Sequence, residues 1–243
     1  MALRGFFMPA QRISSLGGKE RKAGMAEFQE GEALAERSVT ELGNPRKPAG
    51  EFGREMLRRM NVTHYEVTGW ALGFWRLEAL DTVLDIGCGG GLTLKRLAAG
   101  VEGGHLVGVD YSWTAAGEAL LQNCAEVAAG KTGIVQGSVA GLPFRACSFS
   151  KVLTVESFYF WPSPEANLRE VLRVLKPGGT FLLVADIYQK PGLSAHALEN
   201  IRRYGLFNPT PEEFEELFRE AGFKKTIVHT RPGTDWICVE GGK

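Results

Sequence analysis

Net charge is the first thing this chain lacks: lysine plus arginine and aspartate plus glutamate both number 28. Proteins that neutralise nucleic-acid phosphates usually keep a basic excess, so no nucleic-acid partner is expected. No run reaches the roughly 18 apolar residues that a membrane-spanning helix needs, and the first residues hold no secretory apolar core. Neither a membrane partner nor export is expected. Cysteine is sparse: Cys88, Cys124, Cys147 and Cys238 show neither CxxC spacing nor a disulfide-dense pattern, which predicts reduced thiols in a cytoplasmic protein. Histidine is sparser in effect, because His105, His196 and His229 have no ligand spacing with one another or with any cysteine. No metal site is expected from them.

Glycine is plentiful, 31 in 243 residues, and it is concentrated where it matters. The stretch Val83-Leu-Asp-Ile-Gly-Cys-Gly-Gly-Gly-Leu92 is followed, one helix length later, by Val107-Gly-Val-Asp110. That is a buried strand, a glycine turn, a helix, a second strand and an acid at its end, the layout of a nucleoside site. Glycine lets the backbone approach a ligand and adopt positive φ, and the free N–H groups of the helix that begins at Leu92 face the ligand. A carboxylate such as Asp110 can accept both hydroxyls of a ribose. The spacing departs from the dinucleotide fingerprint, which wants a glycine where Leu92 stands. Asp85, two residues before the first glycine, would repel a pyrophosphate but could hold an ammonium.

Along the chain, residues 1–48 hold Gly17-Gly18, Lys19-Glu-Arg-Lys22 and Asn44-Pro-Arg-Lys-Pro48 with little periodicity, and read as a flexible N-terminal arm. Residues 49–243 read as one domain, beginning with helical segments over 51–77 marked by Phe52, Met56, Met60, Val67, Trp70, Ala71 and Phe74. Strands follow at His105–Asp110, Thr132–Gln136, Lys151–Glu156 and Thr180–Ala185, with helices at Trp113–Ala128 and Pro164–Leu175, the latter ended by Lys176-Pro-Gly-Gly179. Thr210-Pro-Glu-Glu213 is a capping box at the head of a last helix. Strands at Lys224–Thr230 and Asp235–Glu240 close the chain. Such alternation predicts an α/β fold: a doubly wound, seven-stranded sheet, mostly parallel, with a C-terminal antiparallel hairpin and an N-terminal helical lid.

The chain resembles the class I S-adenosylmethionine-dependent methyltransferases, whose first motif has the Asp-x-Gly-x-Gly-x-Gly form seen at Asp85–Gly91. The segments Gly137-Ser-Val-Ala-Gly-Leu-Pro-Phe144, Val155-Glu-Ser-Phe-Tyr-Phe-Trp161 and Leu172-Arg-Val-Leu-Lys-Pro-Gly-Gly-Thr180 stand where that family has later motifs. Met60-Asn61, His64 and Thr68-Gly-Trp70 look like an uncharacterised prokaryotic subgroup. The resemblance implies S-adenosylmethionine as cofactor, a small-molecule methyl acceptor, a monomer or homodimer, and a cofactor pocket built from Asp85, Gly87, Cys88, Gly89, Asp110, Tyr111, Ser138, Val139 and Val155. Tyr111 would stack on the adenine and the Val139 N–H would meet a ring nitrogen. The family often has an acid before the residue at Val139, where this chain has Ser138.

The acceptor side is less legible. His64, Glu156 and Tyr159 are the candidate catalytic residues. Glu156, at the end of the fourth strand, either orients a substrate amine or takes a proton, or it merely pairs with a nearby arginine while Phe158–Trp161 fill the core. His64 either covers the site and acts as a base, or caps its helix in solvent. A methyltransferase-like binding module without turnover and an NAD(P)-dependent oxidoreductase remain rival readings, the second disfavoured by Asp85 and Leu92.

Overall fold

A computed structural model describes residues 39–243. The arm expected over 1–48 lies outside the described residues except for 39–48. After a helical turn at 39–43, the chain forms α1 (Gly50–Thr63), α2 (Tyr65–Leu72), β1 (Thr82–Ile86), α3 (Leu92–Leu97), β2 (His105–Asp110), α4 (Trp113–Gln122), α5 (Cys124–Ala128), β3 (Thr132–Gln136) and β4 (Phe149–Val155). It continues through a 3₁₀ turn (Phe158–Phe160), α6 (Pro164–Val174), β5 (Leu175–Ala185), α7 (Ala195–Tyr204), α8 (Pro211–Ala221), β6 (Lys225–Thr230) and β7 (Ile237–Gly242).

The seven strands lie in the order β3-β2-β1-β4-β5-β7-β6. β1 pairs in parallel with β2 and β4, and β7 inserts antiparallel between β5 and β6. This is the expected doubly wound sheet with its antiparallel hairpin. Strand order reverses between β1 and β4, so a ligand crevice opens at their carboxyl ends. Two apolar cores cover the faces, one around Phe158, Phe181, Phe214 and Phe218, the other around Val67, Leu94, Leu97 and Leu182. Four fully enclosed strand residues, Val83, Leu84, Val152 and Leu153, show why these segments carry no polar alternation: both faces are covered.

Several boundaries moved for physical reasons. The helix expected over Trp113–Ala128 breaks at Asn123, whose fully buried amide donates to the carbonyls of Gly91 and Ala119, each at 2.9 Å. A side chain thus replaces helical propagation with a tie to the glycine loop. Strand β5 begins at Leu175, ahead of the expected Thr180, and β7 runs on to Gly242, paired with Thr180. Helix α7 went unread, although Ser194 caps it by accepting from the Ala197 N–H at 3.1 Å and Gly205 ends it at φ 57°. Its capping signals were legible, and none of its residues is buried.

Residues 39–48 depart from the expected arm. Glu41 pairs with Arg203, and the Arg46 guanidinium lies 5.6 Å from the Phe160 ring centre. The Ser112 hydroxyl donates to the Pro48 carbonyl and accepts from the Ala115 N–H, which anchors the segment to the head of α4. Trp70 of α2 and Phe74 and Trp75 just after it pack away from the cavity. Trp75 donates to Thr180 Oγ1 at 2.9 Å, Phe74 stacks on His229 at 3.9 Å, and Trp70 packs beside Trp236. These rings clamp the N-terminal helices to the antiparallel side of the sheet.

Candidate functional site

A cavity of about 430 Å³ opens at the carboxyl ends of β1, β2 and β4, within the range of small-molecule sites. Its floor is the glycine loop. The Gly87 N–H donates to the Val109 carbonyl at 2.8 Å, which ties the loop to β2. Gly87 has φ +72°, and a Cβ there would stand 2.5 Å from Ser157 Oγ, so no other residue fits. Cys88 follows with its thiol turned under the loop, where it belongs to the core behind the site. Burial, with Asp110 and Asp85 adding to it, pushes that thiol well above its ordinary pKa, so it is a neutral filler there.

Asp110 closes the loop from the end of β2. Its Oδ2 accepts from the Gly89 N–H at 3.0 Å and its Oδ1 from the Ser112 N–H at 2.8 Å. Burial pushes its carboxyl up, and these two backbone donors oppose the shift. Asp85 has no such help. It is 1% exposed, and its Oδ1 accepts no hydrogen bond. Burial first and Asp110 second push its pKa up to about 8. An unpartnered buried carboxylate oxygen is costly, and a cation arriving at the loop would remove that cost.

Tyr111, Ser138, Val139 and Val155 all line the cavity. One side of the Tyr111 ring carries the Lys47 ammonium at 4.3 Å, a partner the sequence does not reveal. The Ser138 hydroxyl accepts from the Ala140 N–H at 3.2 Å and so shapes its own turn. The wall opposite the sheet is made by Leu57, Met60, Asn61, His64, Tyr65 and Thr68 of the N-terminal helices, together with Pro45, Arg46 and Pro48.

Glu156 and His64 meet at the far end of the cavity. Glu156 follows β4 in the left-handed region (φ 54°), and its N–H donates to the Val184 carbonyl. It is 6% exposed, and its Oε2 takes the Tyr159 hydroxyl and stands 4.0 Å from His64 Nε2. The arginine partner considered for it is absent among the described residues. Burial, then Asp186, holds its carboxyl well above the usual range, while burial pushes the His64 imidazole down. Tyr159 stands behind Glu156 rather than on the cavity wall, which makes it a positioning residue. Phe160 and Trp161 do reach the wall.

Residues 84–183 match the family model described as a methyltransferase domain. Across those residues the chain is similar to methyltransferases. Among curated methyltransferases it is 29% identical over 154 residues to 2-methyl-6-phytyl-1,4-hydroquinone methyltransferase 1 of Oryza sativa, an alignment covering 63% of this chain and 44% of that one. It is 26% identical over 166 residues to an uncharacterized methyltransferase of Bacillus subtilis, covering 68% and 83%. The chain thus spans less than half the length of the plant relatives it matches.

Two solved methyltransferases share the fold. Phosphoethanolamine N-methyltransferase 2 of Haemonchus contortus has a TM-score of 0.68 at 16% identity, over 79% of this chain and 58% of that one. A methyltransferase from Aquifex aeolicus has a TM-score of 0.65 at 16% identity, over 78% and 97%. In this chain the sequence reading missed Asp186, which stands beside Glu156 because β4 and β5 pair with Val155 opposite Val184. An acid one residue past a strand end was the available signal; only the register makes it a neighbour.

Proposed function

We propose that this chain binds S-adenosylmethionine and transfers its methyl group to a small-molecule acceptor by in-line displacement. The observation that carries the reading is Asp85, a buried acid with an unpartnered oxygen beside a positive-φ glycine loop. The residues fit the ligand. Asp85 would hold its ammonium, Asp110 its ribose hydroxyls, Tyr111 would stack on adenine and the Val139 N–H would meet the ring. A dinucleotide would bring a pyrophosphate to the same loop, facing Asp85. When bound, S-adenosylmethionine supplies a methyl group already activated on a sulfonium. What this chain adds is alignment of the acceptor and exclusion of water.

The acceptor end is formed by His64 and Glu156, with Tyr159 fixing the Glu156 carboxyl. The four free cysteines fit a cytoplasmic setting. S-adenosylhomocysteine at 100 times its dissociation constant is expected to stabilise the protein by about 2.7 kcal/mol. That is roughly 5 to 10 °C in Tm for a chain of this size. NADH should produce no shift. A labelled methyl assay on a metabolite pool then separates an enzyme from a binding module, and a melting curve raised by NADH alone would overturn the reading.

Asp85 adds a pH signature. Its folded pKa, about 8, lies above the ordinary carboxylate value, so the ligand-free protein keeps it protonated at pH 7. Stability in that state should fall as pH rises from about 4 to about 8, where only the unfolded chain has released this proton. An ammonium favours the ionised form, so S-adenosylhomocysteine binding at pH 7 is expected to release close to one proton. Calorimetry at pH 7 in buffers of different ionisation enthalpy measures this; binding heats independent of buffer would contradict it.

The segment 39–48 sets a second expectation. A chain starting at Ala49 loses Pro45, Arg46 and Pro48 from the cavity wall and the Ser112–Pro48 hydrogen bond. At about 1.4 kcal/mol for a tenfold change, loss of one such buried bond and its apolar neighbours predicts roughly tenfold weaker S-adenosylhomocysteine binding. Equal affinity in the two chains would return these residues to the status of an arm.

A further inference from the structure

Three side chains from distant parts of the chain converge where β4 and β5 end. His64 comes from the junction of α1 and α2, Glu156 follows β4, and Asp186 follows β5. One potential ligand atom of each lies within 4.8 Å of the other two, and His64 Nε2 is 4.0 Å from Glu156 Oε2. Two features give this cluster a direction. Glu156 Oε1 is enclosed and accepts no hydrogen bond. Asp186 is a second carboxylate beside it, and two adjacent carboxylates repel when both are ionised. A positive charge among the three groups would satisfy the orphaned oxygen and remove the repulsion together.

We propose that His64, Glu156 and Asp186 form a binding site for one divalent transition-metal ion at the acceptor end of the cavity. Imidazole with two carboxylates is a donor set suited to manganese, iron or zinc. Three ligand atoms on one ion with bonds of about 2.0–2.2 Å stand on average at most about 3.8 Å apart, so the cluster needs to contract by up to about 1 Å. The means to do so are local. His64 sits between two helices at φ −88° and ψ 3°, and Asp186 lies just beyond the last residue of β5, Ala185. Glu156 is the fixed member, held by its backbone bond to Val184 and by Tyr159.

Since His64 and Glu156 line the cavity, the open positions of the ion would face it. If the methyl-transfer reading holds, an ion there would polarise an oxygen of the acceptor and lower its pKa. The metal site itself stands apart from that reading.

The test is a titration of the chelator-treated full chain with Mn²⁺, an ion that cysteine thiols bind weakly, followed by electron paramagnetic resonance and calorimetry. S-adenosylhomocysteine binding is measured in the same preparations. We expect one Mn²⁺ per chain with a micromolar Kd, weakened at least 30-fold in Asp186→Asn and in His64→Ala, on the order of 2 kcal/mol. Cofactor-product affinity should stay within threefold in Asp186→Asn, which shows that this variant is folded. Absence of Mn²⁺ binding up to about 1 mM, or equal Mn²⁺ affinity in wild type and Asp186→Asn, would overturn the site. Failure of S-adenosylhomocysteine to bind while Mn²⁺ still binds would instead remove the cofactor reading and leave the metal site standing.

Discussion

Replacing Asp110 by alanine is expected to weaken S-adenosylhomocysteine binding by two to three orders of magnitude while leaving Tm in the absence of ligand within a few degrees. The acid has two duties. Toward the cavity it offers charged acceptors to a ribose, each such hydrogen bond being worth about 1.5–3 kcal/mol. Toward the protein it holds the Gly89 and Ser112 N–H groups at 3.0 and 2.8 Å, so the glycine loop is shaped before any ligand arrives. Losing both adds an ordering cost to the lost contacts, for a total of about 3–4 kcal/mol. The fold should survive, because Asp110 is only partly buried and water can reach the vacated donors. Calorimetry checks the affinity and a melting curve the fold. An affinity within tenfold of wild type would mean that the ribose is held elsewhere.

Gly91→Ala is expected to act on stability rather than on the ligand. Gly91 has φ +77°, and a Cβ there would lie 2.7 Å from Ala119 Cα and 2.6 Å from Asn123 Nδ2. Left-handed backbone costs a non-glycine residue about 1–2 kcal/mol, and a forced overlap with a packed helix costs about 1–3 kcal/mol more. The Ala119 contact is backbone and cannot swing aside. The overlap also displaces the Asn123 amide from the Gly91 carbonyl. A loss of about 3–4 kcal/mol corresponds to a fall in Tm of roughly 7 to 14 °C. Gly117→Ala is the control: its position on α4 has open space around it, so alanine should leave stability unchanged or raise it, by up to about 1 kcal/mol. A Gly91→Ala protein that melts with the wild type would show that the loop can move away from α4.

The cofactor half of the site was legible because its signals are local. Asp85, the glycines and Asp110 lie within one strand–turn–helix–strand unit, where spacing alone places them at the same end of the sheet. Tyr111 and Val139 follow from the same logic, each just beyond a strand end. The capping box at Thr210 was legible for a like reason: Thr210 Oγ1 accepts from the Glu213 N–H and Glu213 Oε2 from the Thr210 N–H across a single turn. Tyr159 was placed in the right cluster but given the wrong duty. A residue three positions from Glu156 can reach its carboxyl, yet whether it faces the cavity depends on how the 3₁₀ turn packs against α8 and the sheet.

What the amino-acid sequence determined by itself is therefore most of the elements, α7 excepted, the parallel sheet with its antiparallel hairpin, and the loop that would hold a nucleoside, since hydrophobic period, turn chemistry and capping act over a few residues. Tertiary structure alone decided what depends on separate segments landing together. It ended α4 at Asn123 by offering that amide a carbonyl 32 residues away. It drew residues 45–48 onto the cavity through Ser112 and Phe160, and sent Trp70 and Phe74 to the antiparallel side of the sheet. It also set Asp186 beside Glu156 and His64, because strand register and helix docking fix distances between residues that no local pattern relates.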